Sequence, residues 1–307
     1  MSLLEAGMRF AFLSLSIASI YLLVAVGFSI IFGSLKFVNL AHGALYLLGA
    51  YVALFIAGEL VLVGALSRFS PIGLDWGFAA ALILTPLVIF ILGILMDKFL
   101  AKKLTDRSLL DQLLITFGVL LLIQELVAIL IGRRGFSIDR PGWASGSMML
   151  PGVGTASRWR FYVILLTALA ILFLYIIYRY TNFGLVLRAA TEDHEMVQLL
   201  GIRSSRPFTF IFALGAGYAG LAGILGGSMF AIHPEIGVEI LIPALVIVVI
   251  GGVGSLTGTV VASILAGTAF VTVSYISPGA SSASMYLLGI IILALKPTGL
   301  FESTLQL

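Results

Sequence analysis

The sequence contains no cysteine, and only 10% of its 307 residues are charged. The first absence excludes disulfides, thiolate metal sites and thiol nucleophiles. The second excludes an ordinary soluble domain, in which about 25% of residues carry charge. His42, His194 and His233 are the only histidines, and they are too far apart for a His-Glu-x-x-His pair. No lysine follows the Gly-x-x-x-x-Gly spacing of a phosphate-binding loop, so the chain should not hydrolyse ATP itself. A Gly-x-Ser-x-Gly nucleophile turn is also missing. The net charge of +3 is too small to suggest nucleic acid. What is present is apolar: 61% of residues are hydrophobic, with the few charges clustered between long uncharged runs. That pattern implies an all-α polytopic membrane protein in a lipid bilayer, and 34 glycines suit close packing of its helices.

A helix needs about 20 apolar residues to cross the hydrocarbon core. The uncharged runs are 10–33, 37–57, 77–96, 109–132, 161–178, 208–230, 238–251, 256–276 and 285–295. The runs 238–251 and 285–295 are short. They must extend into their flanks, tilt little, or be half-helices buried among others. The run 60–67 cannot span and reads as a surface turn. Eight to ten transmembrane or half-membrane helices are expected, in one transmembrane unit over 1–307, and no signal peptide is evident. Loops 97–107 and 179–206 together hold eight basic residues, against five arginines in 133–160. The positive-inside bias therefore places the first two loops in the cytoplasm.

Two stretches interrupt the apolar pattern near the two ends of the chain. One is Gly33-Ser34-Leu35-Lys36 with the following Asn39, His42 and Gly43; the other is Gly251-Gly252-Val253-Gly254-Ser255. They are either paired breaks of an internal repeat at a transport pathway or connecting turns at the surface. On the pathway reading, Ser34, Asn39, His42, Gly43, Gly254 and Ser255 line the route of the substrate. Asn39 and His42 would share a helical face. The bland role for His42 is a hydrogen bond to carbonyls freed at the turn. Glu125, inside run 109–132, must be neutral, paired or facing water. It is also the acid an ion-coupled secondary transporter would use. Gly217, Gly220, Gly223 and Gly226 recur every three residues and permit close helix approach.

The segment 181–206 is the most polar stretch between two runs. Its residues Arg188, Ala189, Ala190, Glu192, Asp193, His194, Glu195 and Leu200 read as one short surface helix, with Gly201 as its stop. Its acids suit a protein partner better than an anionic lipid surface. At the other side, Arg133, Arg134, Arg140 and Arg158 in loop 133–160 either receive a partner's carboxylates or anchor at headgroups.

Three motifs carry a family resemblance. They are GSLKFVNLAHGALYLLGAY at 33–51, GLVLRAATEDHEMVQLLGI with ALGAGYAGLAG within 184–223, and IGGVGSLTGTVVASILAG at 250–267 with the ending LKPTGLF. In this order they resemble the inner-membrane permeases of branched-chain amino acid (Liv-type) ABC importers, in particular the H-subunit class. Leu40, where an aromatic is common, and Lys296, where arginine is usual, are modest departures. The resemblance implies a multi-pass subunit of the bacterial inner membrane that works by alternating access. It implies a second permease subunit, two ATPase subunits that use ATP and Mg, and an extracytoplasmic binding protein. It makes 181–206 the cytoplasmic coupling segment, and this chain would bind no cofactor or metal. Related permeases import leucine-like amino acids, urea, short amides or aromatic acids, so the substrate stays open.

Overall fold

A computed structural model describes residues 3–200 and 205–301. Its long helices are α1 (Leu3–Leu35), α3 (Gly77–Met96), α5 (Leu109–Leu130), α6 (Arg158–Tyr180), α9 (Ser205–Gly226), α11 (Leu256–Ile276) and α12 (Ser281–Leu295). With their flanking turns, these seven are long and apolar enough to cross a membrane. Two shorter apolar helices, α2 (His42–Ala57) and α10 (Ile236–Gly251), complete the bundle. The chain is thus an all-α multi-pass membrane protein. The run 285–295 reaches its length by starting at Ser281, while the run 238–251 remains a 16-residue helix.

The core is built on α1 and α9, whose surfaces are largely buried while α5, α6 and α12 expose most of theirs. Glycine makes this possible where the two helices cross. A Cβ on Gly27 would lie 2.6 Å from the Gly215 carbonyl oxygen, and one on Gly215 equally close to the Gly27 oxygen. The glycine series on α9 works the same way within this chain. Gly220 abuts Gly49 and Ile89, Gly223 abuts Tyr46, and Gly217 lies against Pro86. Without a hydrophobic drive between helices in lipid, such backbone proximity is what holds a bundle together.

Several sequence boundaries shift. Gly33 and Ser34 do not form a turn, because α1 runs through them to Leu35 and the break comes at Lys36, whose φ is +48°. Gly33 is small for another reason: a Cβ there would come within 2.7 Å of the Gly254 Cα. The two glycine-rich breaks therefore meet in space. The second break lies where expected, with Gly252 and Gly254 at φ of +95° and +79°. The basic loop 97–107 is also partly helical. Helix α3 passes through a π-helical turn, Asp97–Ala101, into the short α4 (Lys102–Leu104). A π turn re-aims side chains, and here Asp97 is buried while Lys98 and Phe99 face outward.

At one end of the bundle the segment 60–67 is a surface turn, as expected, with Val61 and Val63 exposed and its backbone bonded to the end of α5. Amides of Val63 and Gly64 donate to the Ile131 carbonyl, Ala65 to Ile129 and Leu66 to Leu130. These bonds satisfy carbonyls that the end of α5 would otherwise leave unpaired. The same end carries a small hairpin that no sequence pattern announced. Strands β1 (Ser147–Leu150) and β2 (Gly154–Ser157) pair antiparallel, and Met8 of α1 packs on Gly152 in their turn. At the opposite end lie the break at Lys36, the α3–α4 turn, the polar segment that follows α6, and the last described residues, where the Leu300 amide donates to the Ile250 carbonyl.

Candidate functional site

Residues 36–41 are non-helical backbone inside a helical bundle, a state tolerated only where protein or water meets the exposed amides. Phe37, Val38 and Asn39 are buried, and the chain enters α2 through a tight turn. The amides of His42, Gly43 and Ala44 donate to the carbonyls of Asn39, Leu40 and Ala41, so the helix start is satisfied without a side-chain cap. Asn39 therefore precedes α2, and the expectation that it shares a helical face with His42 is corrected: the turn at 39–42 intervenes. The carboxamide oxygen and nitrogen of Asn39 are both buried without a hydrogen-bond partner.

His42 is fully buried. Its Nε2 lies 3.2 Å from the Val24 carbonyl oxygen of α1, which can only accept, so Nε2 carries the hydrogen. Nδ1 has no partner, and the ring stands edge-on to Phe28 at 6.0 Å between centroids. Gly27 leaves room for it, since a Cβ there would lie 3.1 Å from the imidazole. Gly43 packs against the Gly237 carbonyl of α10. Ser34 is buried with an unpartnered hydroxyl. Ser255 is otherwise engaged: it caps α11, accepting from the Gly258 amide at 3.0 Å.

The polar segment after α6 is two helices, α7 (Asn182–Glu192) and α8 (His194–Leu199), where the sequence suggested one. Asp193 interrupts them with φ −144° and ψ 94°, and its carboxylate accepts from the Met196 amide at 2.9 Å. An aspartate competes with helix continuation in this way and caps the next helix instead. Leu200 follows in a turn, and Gly201 lies outside the described residues. Thr181 caps the start of α7, and Arg188 folds back to donate to the Tyr178 carbonyl and stack over its ring at 5.2 Å. Leu187 and Ala190 are buried beneath, while Leu185, Leu199 and Leu200 stay exposed.

Between α7 and the break at Lys36 lies a polar cavity of about 500 Å³. Ser34, Lys36, Asp97, Lys102, Asp106 and Glu192 are among the residues lining it. One wall holds a cluster the sequence did not reveal. Asp97 accepts from Thr209 of α9 at 2.6 Å and pairs with Lys102 at 3.3 Å, and Lys102 donates to Thr209 at 2.8 Å. Its charges had read only as the edge of a basic loop.

At the hairpin end, Glu125 resolves as a paired acid. Arg133 meets Glu125 at 2.8 Å and Glu235 at 2.6 Å, bridging the end of α5 to the start of α10. Burial pushes Glu235 up, but its hydrogen bonds and the charges of Arg133 and His233 outweigh it and hold the carboxyl below its ordinary 4.5. Arg140 donates to the Ser228 carbonyl at 3.3 Å. Arg134 and Arg158 are exposed, and the Arg158 amide donates to the Gly146 carbonyl at 3.2 Å. Arg160, counted with the loop, lies in the first turn of α6 and donates to Ser16 of α1 at 2.7 Å.

Comparison with known proteins adds a sequence family. The family described as "Branched-chain amino acid transport system / permease component" matches residues 10–295. The chain is 28% identical to LivH of Escherichia coli K12, the high-affinity branched-chain amino acid transport system permease protein, over 94% of this chain and 93% of that one. LivH of Salmonella typhimurium is also 28% identical at the same coverage. BraD of Pseudomonas aeruginosa, of the same description, is 29% identical over 83% of this chain and 82% of its own. No solved structure matches.

Proposed function

The chain belongs to the family of branched-chain amino acid transport system permease components, and we propose that it is the membrane subunit of an ATP-driven importer of branched-chain or kindred hydrophobic amino acids. It is a permease, so the hydrolysis belongs to partners. Its complex would contain a second permease subunit, two ATPase subunits using ATP and Mg, and an extracytoplasmic binding protein, in the inner membrane of a bacterium. The end carrying α7 and α8 then faces the cytoplasm, in agreement with the charge count over 97–107 and 179–206.

The observation that carries the reading is one of placement. The coupling segment and the broken segment at Ser34 and Lys36 line the same polar cavity at one end of the bundle. A push on α7 and α8 from a closing ATPase pair acts directly on the non-helical backbone that leads to Asn39 and His42. The unpartnered amide of Asn39 supports a place on the path: leaving it buried unmade costs about 1–3 kcal/mol, a penalty relieved when the membrane halves open to water or substrate. The permease contributes no covalent step; it supplies a conformational equilibrium that the ATPases bias from one face and the loaded binding protein from the other. An ion-coupled transporter loses its best acid, because Glu125 sits in an ion pair at the hairpin end.

Affinity purification of the tagged chain from its own cells tests the proposal. ATPase subunits should co-purify, and the complex in vesicles should import leucine only with ATP and binding protein present. Import without ATPase subunits would refute it.

A further inference from the structure

The broken segment is held by two side chains of α5 that no motif singled out. In extended backbone, amides two residues apart point the same way, and on a helix, side chains four apart share a face. These two periodicities meet here. Val38 donates to the Gln112 Oε1 at 3.3 Å, and Leu40 donates to the Thr116 Oγ1 at 3.1 Å. Both side chains are buried. Thr116 completes its hydroxyl by donating to the Gln112 carbonyl at 2.6 Å.

Gln112 also faces the other way. Its Nε2 lies 3.2 Å from the Leu104 carbonyl, 3.4 Å from Thr105 and 3.2 Å from Arg107. The amide can have only this orientation. Flipped, its nitrogen would oppose the Val38 N–H and its oxygen would oppose three carbonyls. Thr105 and Asp106, in the turn so gripped, line the same cavity as Ala190, Thr191 and Glu192 of α7. One side chain thus ties the cavity rim beside the coupling segment to the non-helical backbone beside Asn39.

We propose that Gln112 and Thr116 are positioning residues of transport: they keep residues 37–40 in register on α5 and pass displacement of the 104–107 turn to that segment. The proposal rests on the reading of the chain as an ATP-coupled permease. Neither residue is assigned to touch substrate.

The test uses the complete complex in vesicles, with leucine as probe, comparing wild type with Thr116→Val, Thr116→Ser and Gln112→Leu. Thr116→Val keeps the side chain's shape and removes its hydrogen bonds. Leucine imported per ATP hydrolysed, which does not depend on the amount of complex, should fall roughly two- to tenfold, the shift one net hydrogen bond supplies. Thr116→Ser should restore the ratio, and Gln112→Leu, where it assembles, should lower it at least as far as Thr116→Val. On the same protein, hydrogen exchange over 37–40 should accelerate in Thr116→Val and not in Thr116→Ser. An unchanged ratio in Thr116→Val, an equal loss in Thr116→Ser, or unaltered exchange would overturn the proposal. A wild-type complex that imports without hydrolysing ATP would instead refute the transport reading, while the exchange measurement still decides whether these side chains hold the segment.

Discussion

Removing the carboxylate of Asp97 separates two interactions that share one oxygen. Its side chain is 2% exposed, whereas that of Lys102 is 46% exposed. The ion pair between them is therefore screened on the lysine side, and such pairs contribute about 0–1 kcal/mol. The hydrogen bond from Thr209 is different. At 2.6 Å to a charged acceptor it belongs to the stronger class, worth about 1.5–3 kcal/mol. Asp97→Ala should consequently destabilise the chain by about 2 kcal/mol or more, and Lys102→Met by about 1 kcal/mol or less. Thr209→Val should approach the aspartate variant, and the double variant Asp97→Ala with Thr209→Val should cost less than the sum of the singles, with a coupling of at least about 0.5 kcal/mol. Tryptophan fluorescence during unfolding in mixed detergent micelles measures each value. Equal losses for Asp97→Ala and Lys102→Met would refute the argument, because the ion pair rather than the Thr209 bond would then dominate. Additive losses would refute it as well.

Ala189→Gly and Ala190→Gly each remove about 1 kcal/mol of helix propensity from α7, so their combination should abolish binding-protein-stimulated ATP hydrolysis while the subunit stays in the membrane, checked by membrane fractionation and phosphate release. His42→Ala should lower leucine uptake with normal assembly of the complex, since it removes the side-chain bond to the Val24 carbonyl; unchanged uptake would remove His42 from the pathway. Reversing Arg134 and Arg158 to glutamate should weaken association with the binding protein several-fold in low salt and little in high salt, measured by surface binding, whereas Arg133→Glu should act through lost stability. The depressed Glu235 carboxyl contributes stability that is present above its unfolded pKa and lost as pH falls through the lower folded value, so wild type should lose thermal stability below the ordinary value of 4.5 more steeply than Glu235→Gln.

Most spans were legible because charges and turn residues bound uncharged runs, and lipid leaves the backbone no alternative to helix over such a run. Run 256–276 reappears as α11 with the same limits. Boundaries failed where a distant partner changed what a residue type means. Asp97 ended a span by its charge, yet the helix continues because Thr209, 112 residues away, and Lys102 together accept it inside. Gly33 read as a turn by its flexibility, although its size serves the contact with Gly254 while Lys36 takes the left-handed conformation. The break at Asp193 was readable locally, since aspartate is an ordinary N-cap residue.

The site divides in the same way. Asn39, His42 and Ser34 stood out because polar groups are rare in apolar runs, and they are buried with unpartnered atoms at the break. Gln112 and Thr116 did not stand out. Near the start of a span a glutamine and a threonine look like interfacial polarity, and nothing in their neighbourhood indicates that extended backbone will lie against them. Their meaning depends on residues 74 and 76 positions earlier, which must leave the helix for the α5 side chains to have work. A sequence can thus reveal which polar residues are out of place in a membrane. The residues that keep an irregular segment tolerable there become visible only when its amides are followed to their acceptors.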